Sequence, residues 1–326
     1  MSKALLPIEY SVVSSSALQQ FLHVAYELPS GSKVSFLHQG IHDIYLVSNG
    51  AIHLILKIFR KGWKSVDSIR AELDVLMALK QKSIEVSVPY KDREGAYIQE
   101  LQYPEGTRYG VVYMYAPGTK LPQLNPDTAA LFGRKLAALH AASNDMDHGA
   151  LPWNYYVGNI FDSTLENVSS VISDLKVVEI LRGLYFKMDA VFDSLDTDEL
   201  RIGICHGDAH HENVHFKLEA GRVSFFDFDF AGNGYLLYDV GAFCHYERKR
   251  EENVNAFLSG YNEVLPLSET EQRLIPFFSI LMRLFHLGTR AKNADGSKNP
   301  LWPKNEVLVK LQQIENEVAQ LKSLIV

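Results

Sequence analysis

The sequence predicts an α+β fold of two lobes: a small antiparallel-sheet lobe over about residues 1–114 and a larger, mainly helical lobe over about residues 115–326. The early segments are short apolar runs separated by turn residues, a pattern typical of strands. Apolar residues at helical spacing dominate the second part of the chain. Between the two parts, Tyr115-Ala116-Pro117-Gly118 interrupts both patterns and predicts a hinge.

The small lobe is expected to contain five strands and to begin with a helix. Ser16-Ala17-Leu18-Gln19 resembles a capping box, so this helix should run from Ser16 to about Tyr26. A second helix opens at Ser65 or Ser68 and ends near Leu79. The strand-like runs that can be located are 43–47, 52–59, 97–101 and 111–115.

The larger lobe should begin with a helix capped by Asn125, with Pro126 at its first position. In the middle of this lobe, Val214–Leu218 and Arg222–Phe226 are typical of two short strands, joined by a three-residue loop that ends in glycine. Further helices are predicted near 175–192, 240–248, 254–261, 269–292 and 305–324.

The central hairpin brings together residues that suit a metal site. If Leu218 pairs with Arg222, the antiparallel register places Asn213 directly opposite Asp227, about 5 Å away. Asp208 lies just upstream. Carboxylate and amide oxygens suit a Mg²⁺ ion that takes its other ligands from nucleotide phosphates. The hairpin therefore predicts the active site of a phosphotransferase.

The same residues carry a resemblance to known enzymes. Asp208 followed by Asn213 and then by Asp-Phe resembles the catalytic and metal loops of protein kinases. The forms His206-Gly207-Asp208, Asp227-Phe228-Asp229 and Tyr238-Asp239-Val240 resemble the aminoglycoside phosphotransferase and choline kinase family. Within it, the chain is similar to bacterial stress-response kinases and type II homoserine kinases over about residues 40–290. The resemblance implies a bilobal protein-kinase-like fold with its active site in the cleft between the lobes.

The resemblance also implies roles for the hairpin residues. Asp208 would orient the acceptor hydroxyl and take its proton. Asn213 and Asp227 would bind Mg²⁺ and bridge it to the nucleotide phosphates. For Asp229, the metal shell, the substrate site and a loop cap remain alternatives. Asp239 should cap the helix that follows it and brace the catalytic loop.

On the nucleotide side, Lys57 stands in an otherwise apolar strand, where a charge is costly unless it is paired or solvated. The resemblance supplies the nucleotide phosphates and Glu72 as its partners; the alternative is an edge-strand Lys and an exposed Glu. Gly40 belongs to the turn expected to cover the phosphates. The backbone near Tyr113 and Tyr115 should meet the base, with ATP as the expected nucleotide and GTP still possible.

The acceptor pocket is less well specified by the sequence. Arg283, His286 and Arg290 share one helix face, where they could bind a carboxylate or phosphate or could pair internally. Between residues 283 and 304, five basic residues, the others being Lys292, Lys298 and Lys304, stand against one acid, Asp295. Because this helix resembles one that lines the acceptor site in the family, the balance predicts a small hydroxylated acceptor with an anionic group, such as a hydroxy amino acid. The remaining acceptor candidates could instead belong to the core or a loop; they are Asp229, Trp153, Asn154, Tyr155, His245 and Tyr246.

Composition excludes several other classes. A net charge of −7 argues against a nucleic-acid partner. Two cysteines give no disulfide framework, and we expect both to be reduced core residues. The N-terminus lacks a signal peptide and the most apolar window, residues 274–288, is too short to span a bilayer, so a cytoplasmic protein is expected. Four histidines between 206 and 215 suggest zinc, but no further ligands complete a closed site.

Two alternatives to a small-molecule phosphotransferase remain. The first is a protein Ser/Thr kinase of the stress-response type, although Asp229 is followed too quickly by Asp239 to leave a recognisable activation loop. The second is a catalytically silent nucleotide-binding or regulatory module. Such a module would not need all four of Asp208, Asn213, Asp227 and Lys57. The acceptor's identity, the pathway and the oligomeric state cannot be predicted from the sequence.

Overall fold

The computed structural model describes residues 8, 10–144, 146, 150–195, 197, 199–294 and 304–325, with the side chains of 304–305 and 322–325 left aside. The chain falls into two compact units, Met1–Pro117 and Gly118–Val326. The first unit is built on a sheet and the second mainly on helices. The predicted α+β class, with a sheet lobe and a helical lobe, is confirmed.

An antiparallel sheet forms most of the first unit. In chain order, its elements are α1 (Ser15–Ala25), β1 (Lys33–Gln39), β2 (Asp43–Ser48), β3 (His53–Ile58), α2 (Val66–Gln81), β4 (Ile98–Tyr103) and β5 (Gly106–Met114). The five strands follow the order β1-β2-β3-β5-β4, and each pairs antiparallel with its neighbours. Leu18 and Leu22 of α1 pack with Tyr45, Leu54 and Leu56 in one apolar core.

Two details of the first unit differ from the sequence prediction. The N-cap of α1 is Ser14, whose side chain accepts a hydrogen bond from the amide of Ala17, so the capping box expected at Ser16 is wrong by two residues. Strand β1 was not located, because six of its seven residues are exposed and its sequence lacks strict alternation. For α2, the structure selects Ser65 over Ser68 as the cap.

The second unit contains seven helices and two small sheets within its described residues. In chain order they are α3 (Pro126–Ser143), β6 (Trp153–Tyr155), α4 (Val157–Val171), α5 (Leu175–Phe192), β7 (Ile202–Cys205), β8 (Val214–Lys217), β9 (Arg222–Phe225), β10 (Gly232–Tyr235), α6 (Leu237–Tyr246), α7 (Glu251–Asn262), α8 (Glu269–Ala294) and α9 (Lys304–Ile325). β10 lies between β6 and β7 in a three-stranded sheet, and β8 pairs with β9.

The helices of this unit agree with the sequence prediction except for α4. Its N-cap, Tyr156, makes no side-chain capping bond, and the helix is rich in β-branched, Ser and Asn residues, which have low helix propensity. Packing against α8 stabilises it instead. The Thr164 hydroxyl donates to the Leu284 carbonyl at 3.0 Å, and a Cβ at Gly288 would lie 2.8 Å from Thr164 Cα.

Helices α3 and α7 approach each other closely through two glycines. A Cβ at Gly133 would lie 2.1 Å from the Phe257 carbonyl, and one at Gly260 would lie 2.1 Å from the Ala130 carbonyl. The approach brings the ring of His140 on α3 within 2.8 Å of the Tyr261 hydroxyl on α7. This pairing fixes the ring whose other nitrogen, Nε2, lies 3.1 Å from Asp239 Oδ2 on α6.

Two further sequence predictions concern the cysteines and membrane-spanning segments. Cys205 and Cys244 are free, buried thiols, as expected, and burial raises the pKa of Cys244 to about 12. No helix in the described part of the chain combines the length and the apolar character needed to cross a bilayer.

Candidate active site

The hairpin formed by β8 and β9 has a register one residue away from the predicted one. Lys217, not Leu218, lies opposite Arg222, so the predicted pairing of Leu218 is wrong. The reason is the turn: Leu218–Ala220 form a 3₁₀ turn closed by the Gly221 amide, and Gly221 takes the left-handed φ of 58°. The loop therefore contains four residues instead of three.

This register moves Asp227 by one position relative to Asn213. The Asn213 carbonyl accepts a hydrogen bond from the Phe226 amide at 3.1 Å, so Asn213 lies opposite Phe226. Asp227 follows directly and takes a left-handed conformation, with φ 62° and ψ 59°. Such a backbone is uncommon outside glycine, although Asp tolerates it better than most residues. The turn keeps Asp227 next to Asn213, but not directly opposite it.

Asp208 is the centre of a polar cluster, and its two carboxylate oxygens have different neighbours. Oδ2 accepts from the Asn213 side-chain amide at 2.8 Å and lies 3.2 Å from His210 Nε2. Oδ1 accepts from the Tyr246 hydroxyl at 3.3 Å and lies 3.9 Å from His286 Nε2. The first oxygen therefore faces the predicted metal ligand, and the second faces α6 and α8.

The surroundings of Asp208 stabilise its ionised form. Burial alone would raise its pKa, but the hydrogen bond from His210 and the nearby imidazoles of His210, His286 and His206 outweigh burial and lower the pKa to about 2. Asp208 is therefore a carboxylate throughout the neutral range. Asp208 in turn raises the pKa of His210 above 6.5, against the opposing effect of burial.

Asn213 is oriented by Asp208. Its side-chain nitrogen donates to the Asp208 carbonyl at 3.0 Å as well as to the carboxylate. Because both bonds use the amide nitrogen, Oδ1 points the other way and is available to a cation. Asp227 directly follows the residue that pairs with Asn213. An amide oxygen and a carboxylate are hard ligands of the kind that fits Mg²⁺.

His206 connects the catalytic loop to the loop that carries Asp227. Its Nε2 lies 3.1 Å from the Phe226 carbonyl, and its Nδ1 accepts from the Asp208 amide at 3.3 Å. Burial lowers the pKa of His206, more than the charge of Asp239 raises it, and this favours the neutral ring that both contacts require. The ring also packs on Phe228, with centroids 4.5 Å apart.

Asp239 holds the loop from the other side. Its Oδ1 accepts from the Gly207 amide at 2.9 Å, and its Oδ2 accepts from the His206 amide at 2.6 Å. The same oxygen lies 3.1 Å from His140 Nε2. Asp239 thus contacts the catalytic loop as expected, but the expectation that it precedes α6 as a cap is wrong. It lies within the first turn of α6, after Leu236.

Gly207 is required at its position. It has a φ of 82°, and a Cβ there would lie 2.0 Å from the Phe230 carbonyl and 2.2 Å from the Tyr155 hydroxyl. Any larger residue would therefore displace either the Asp208 loop or the loop after Asp227. The His-Gly-Asp form seen in the sequence has a steric cause.

Asp229 and Trp153, two acceptor candidates, contact each other. The Trp153 indole donates to the Asp229 carbonyl at 2.9 Å, and both residues are buried. One face of the indole carries the Lys292 ammonium, 4.9 Å from the ring centroid. Tyr155 donates from its hydroxyl to the Phe230 carbonyl. These contacts support the loop that follows Asp227. Neither Asp229 nor Trp153 lines the cavity in which most of the other acceptor candidates lie, which is described next.

A cavity of about 640 Å³ in the second unit brings together the remaining candidates. His286 and Tyr246 both line it and both approach Asp208 Oδ1, so two of its lining residues lie next to this carboxylate. The predicted acceptor residues in its wall are His245, Tyr246, Arg283, His286 and Arg290. The other lining residues are Arg248, Met282, Leu287, Lys310, Gln313, Ile314 and Glu317.

The cavity wall is rich in positive charge. Arg248, Arg283, Arg290 and Lys310 line it, and Glu317 is the one acid among its described lining residues. Burial, together with the charges of Arg248, Arg283 and His286, lowers the pKa of His245 to about 3, so His245 is neutral. No pattern in the sequence indicates that Arg248 or any residue of α9 would line this cavity.

From the sequence, the arginines of α8 could either bind an anionic ligand or pair with acids of the same chain. In the structure, Arg283 and Arg290 both lie near glutamates of α9 and also line the cavity. Arg283 contacts the Glu317 carboxylate, and Arg290 lies 3.8 Å from Glu306. Lys310 also binds Glu306, at 2.7 Å. Lys298 and Asp295, which entered the predicted charge balance, lie outside the described residues, as does the side chain of Lys304.

In the first unit, Glu72 has a basic partner that the sequence reading missed. Its Oε2 lies 2.6 Å from Lys64 Nζ, and its Oε1 accepts from the Tyr113 hydroxyl at 3.2 Å. Lys64 directly precedes Ser65, the N-cap of α2. A cation is unfavourable at a helix N-terminus unless an acid lies nearby, and this rule could have pointed to the pairing of Lys64 with Glu72. The ammonium of Lys57 lies 5.0 Å from the Phe59 ring centroid, and its proposed pairing with Glu72 stays a prediction.

The expected nucleotide-contacting backbone can be described for each segment. Gly40 lies in the short connection between β1 and β2; a Cβ there would meet only the His38 ring, at 4.0 Å, so packing leaves the space open. The amides of Met114 and Tyr115 donate to the Val88 and His53 carbonyls. A contact with the base would therefore use other backbone groups near Tyr113 and Tyr115.

The four clustered histidines contact different neighbours. His206 and His210 contact the loops and carboxylate described above, His211 lies 4.0 Å from Glu247, and the ring of His215 packs on Phe226. Over the described residues, no three His, Cys, Asp or Glu side chains converge as a metal-binding group.

Comparison with known proteins agrees with this architecture. The sequence model of the APH family, described as a phosphotransferase enzyme family, matches residues 33–274. An uncharacterized protein of Synechocystis sp. is 31% identical over 273 residues, covering 82% of this chain and 75% of that protein. A homoserine kinase of Gluconobacter oxydans is 26% identical, covering 82% and 84%.

Among solved structures, an amicoumacin kinase in complex with AMP-PNP, Ca²⁺ and Ami has a TM-score of 0.75 at 19% identity, covering 94% of this chain and 93% of its own. At that identity the likeness supports the fold. The family model spans most of the chain and includes every residue of the catalytic hairpin. The resemblance noted in the sequence is therefore confirmed: the chain belongs to the APH phosphotransferase enzyme family and is a phosphotransferase with an alcohol group as acceptor.

Proposed function

We propose that the enzyme transfers the γ-phosphoryl group of ATP to a hydroxyl of a small anionic molecule, with Asp208 as the catalytic base. The observation that carries this proposal is that the two carboxylate oxygens of Asp208 have different neighbours. Oδ2 is bound to the side chain of Asn213, while Oδ1 meets Tyr246 and His286 at the cavity. One carboxylate thus connects the expected phosphate side to the expected acceptor side.

A pKa of about 2 defines what Asp208 contributes. A carboxylate of such low basicity orients the hydroxyl through a hydrogen bond and accepts its proton late, when the oxygen has already begun to bond to phosphorus. Phosphoryl transfer through a loose transition state makes little demand on early proton removal. Positioning is therefore the larger part of its role.

Asn213 and Asp227 would hold Mg²⁺. The fit rests on the orientation of Asn213, whose nitrogen is held by Asp208 so that its oxygen is available, and on the turn that keeps Asp227 beside it. When bound, the ion would neutralise charge on the nucleotide phosphates. Asp229, whose carbonyl is held by Trp153, would position this loop.

For the nucleotide, we propose contacts from the first unit. Lys57 would bind phosphate, Glu72 would be held by Lys64 and Tyr113 to support that region, and the Gly40 turn would cover the phosphates. ATP is the expected donor, and the structural relative bound to AMP-PNP supports an adenine nucleotide. GTP remains possible, since backbone contacts near Tyr115 would not exclude it. An ATP-dependent reaction and two free buried thiols fit a cytoplasmic enzyme.

The anionic acceptor is supported by the cavity wall. Three arginines and one lysine line this cavity, against one lining acid, Glu317. Two further lining residues, Tyr246 and His286, approach Asp208 Oδ1. Guanidinium groups bind carboxylate and phosphate in a fork-like geometry. The relatives named homoserine kinases are compatible with a carboxylate-bearing alcohol. A polycationic aminoglycoside would meet like charge instead.

The two alternative functions are less well supported. A protein kinase would need a segment between Asp229 and Asp239 that binds a peptide, but that stretch is taken up by a 3₁₀ turn, strand β10 and the start of α6. β10 is paired on both sides, with β6 and β7. A silent module would not need Asp208, Asn213 and Asp227 to converge.

A turnover screen tests the proposal. The wild-type enzyme and the Asp208→Asn variant would be incubated with Mg²⁺ and ATP against hydroxy acids, amino alcohols, sugars, aminoglycosides and a generic protein. We expect Asp208-dependent phosphorylation of a small anionic alcohol. Transfer to the protein alone, or ATP turnover that Asp208→Asn does not reduce, would contradict the proposal.

A further inference from the structure

Helix α9 supplies four of the residues that line the cavity proposed for the acceptor. These are Lys310, Gln313, Ile314 and Glu317. They stand at positions i, i+3, i+4 and i+7, so they occupy one face of the helix. Ile314 is almost fully buried and fixes this face against the rest of the unit. The C-terminal helix is therefore part of the site, although its sequence shows no recognisable motif.

The most informative contact of this wall joins Glu317 to Arg283. The Glu317 carboxylate contacts Arg283 Nη1, and both residues line the cavity. The Arg283 side chain is only 17% exposed, whereas that of Glu317 is 50% exposed. The acid thus reaches from the solvent side onto a guanidinium that is mostly withdrawn from water.

Arg283 lies one helical turn before His286, on the same face of α8. His286 Nε2 is buried without a hydrogen-bond partner among the described residues and lies 3.9 Å from Asp208 Oδ1. A buried polar atom usually has a partner, so this one marks where a ligand group would sit. A hydroxyl there would bring the rest of a small acceptor close to Arg283.

We propose that Glu317 is a specificity-determining residue that stands in for the anionic group of the acceptor. In the empty cavity it neutralises Arg283. An acceptor carboxylate or phosphate takes its place, and Glu317 can swing into solvent. An ion pair with one half-exposed partner contributes little free energy, so displacement costs little. The same carboxylate repels anions that do not reach Arg283 and attracts acceptors with an ammonium group.

The proposal rests on the proposed function only in taking the cavity as the acceptor site, and binding can be tested without turnover. Three probes of similar size and different charge are suitable: γ-hydroxybutyrate, butanediol and aminobutanol. Their dissociation constants would be measured by calorimetry without nucleotide, for the wild type and for Glu317→Gln. The substitution removes the charge but keeps the length of the side chain.

A matched control exists on the same helix. Glu315 binds Lys187 at 2.8 Å, with partly exposed side chains, and it does not line the cavity. Glu315→Gln therefore removes an α9 ion pair without changing the site. A thermal melt of each variant would verify that α9 remains folded.

We expect Glu317→Gln to tighten γ-hydroxybutyrate binding about twofold to fivefold, the range for removal of a partly exposed ion pair. Butanediol should bind unchanged, aminobutanol should bind more weakly, and Arg283→Gln should weaken γ-hydroxybutyrate. Glu315→Gln should change none of these constants. The proposal is overturned if Glu317→Gln binds γ-hydroxybutyrate no more tightly than the wild type, or if neither binds it.

Turnover separates this inference from the proposed function. If charge selectivity shifts as expected but no alcohol is phosphorylated, the proposed reaction is wrong and the role of Glu317 in binding stands. If anionic alcohols are phosphorylated but Glu317→Gln leaves their binding unchanged, the reaction stands and the role of Glu317 is wrong.

Discussion

His286 Nε2 lies 3.9 Å from Asp208 Oδ1, too far for a hydrogen bond and close enough to share a ligand atom. The nitrogen is buried and has no other partner in the described part of the chain. Burial lowers the pKa of His286, against the opposing charge of Asp208, so the ring is largely neutral at pH 7. A hydroxyl between the two groups would accept from His286 and donate to Asp208.

Replacing His286 with Ala should therefore affect the acceptor more than the nucleotide. We expect the KM for the acceptor to rise roughly tenfold, as for a lost hydrogen bond in a water-excluded site, with little change in the KM for ATP. His286→Gln, which keeps a donor, should recover part of the loss. Steady-state kinetics with each substrate varied would test this. An equal change in both KM values would argue for a general structural defect.

The proposed roles of Asp208 and Asp227 predict different defects. Asp208→Asn should reduce kcat by about 10²–10⁴-fold, the range for loss of a general base, while nucleotide affinity stays the same. Asp227→Ala should instead remove the Mg²⁺-dependent part of nucleotide binding. Calorimetry with ADP, in Mg²⁺ and in EDTA, would separate them. If both variants lost nucleotide affinity equally, the two roles would have to be reassigned.

Asp208 should also make stability depend on pH. Its pKa is lowered from 3.8 to about 2, so its stabilising contribution is present above pH 3.8 and is lost as the pH falls towards 2. That shift corresponds to about 2 kcal/mol. His210, whose pKa is raised, contributes below pH 6.5 and loses its contribution as the pH rises through its folded-state pKa.

Urea unfolding of the wild type and of Asp208→Asn at several pH values would measure the contribution of the Asp208 carboxylate to the free energy of unfolding. The difference in unfolding free energy should be largest between pH 4 and pH 6.5 and should shrink towards pH 2. A difference independent of pH would mean that the ionisation of Asp208 does not contribute to folding.

The sequence predicts a cluster around Asp208 because the residues proposed for it are close in the chain. Asp208, Asn213 and Asp227 lie within one loop–hairpin segment, and local turn chemistry suffices to bring them together. The register was wrong by one residue because a loop ending in glycine can close with three or four residues, and only the 3₁₀ turn at Leu218 decides between them.

Contacts between distant segments were harder to predict. Glu317 reaches Arg283 across 34 residues of sequence, and the intervening connection carries no signal of the pairing. Lys64 and Glu72 are near in sequence and form an ion pair. The sequence nevertheless favours Lys57 as the partner of Glu72, because a charge in an apolar strand needs a partner. Helix α4 is stabilised by packing against α8, which no local propensity reveals.

The buried pair of Lys64 and Glu72 predicts a contrast with Lys57. Both side chains of the pair are at most 2% exposed, so Lys64→Met should leave an uncompensated buried carboxylate and destabilise the protein by about 3–5 kcal/mol. The double variant Lys64→Met/Glu72→Leu should recover much of this loss. Lys57→Ala should mainly raise the KM for ATP. Chemical denaturation and ATP kinetics on all three variants would check this, and a Lys57→Ala enzyme with normal kinetics would exclude it as a phosphate ligand.

The cavity predicts which acceptors the enzyme will refuse. Kanamycin is a polycation, and in this cavity it would meet Arg248, Arg283, Arg290 and Lys310 with one lining acid to bind. We expect no efficient phosphorylation of kanamycin and measurable phosphorylation of at least one carboxylate-bearing alcohol. Arg248→Gln, which removes a lining cation, should raise the KM for such an alcohol without changing the KM for ATP. Efficient turnover of kanamycin with none of any carboxylate-bearing alcohol would show that Glu317, and not the arginines, selects the acceptor, and would favour an antibiotic-modifying enzyme.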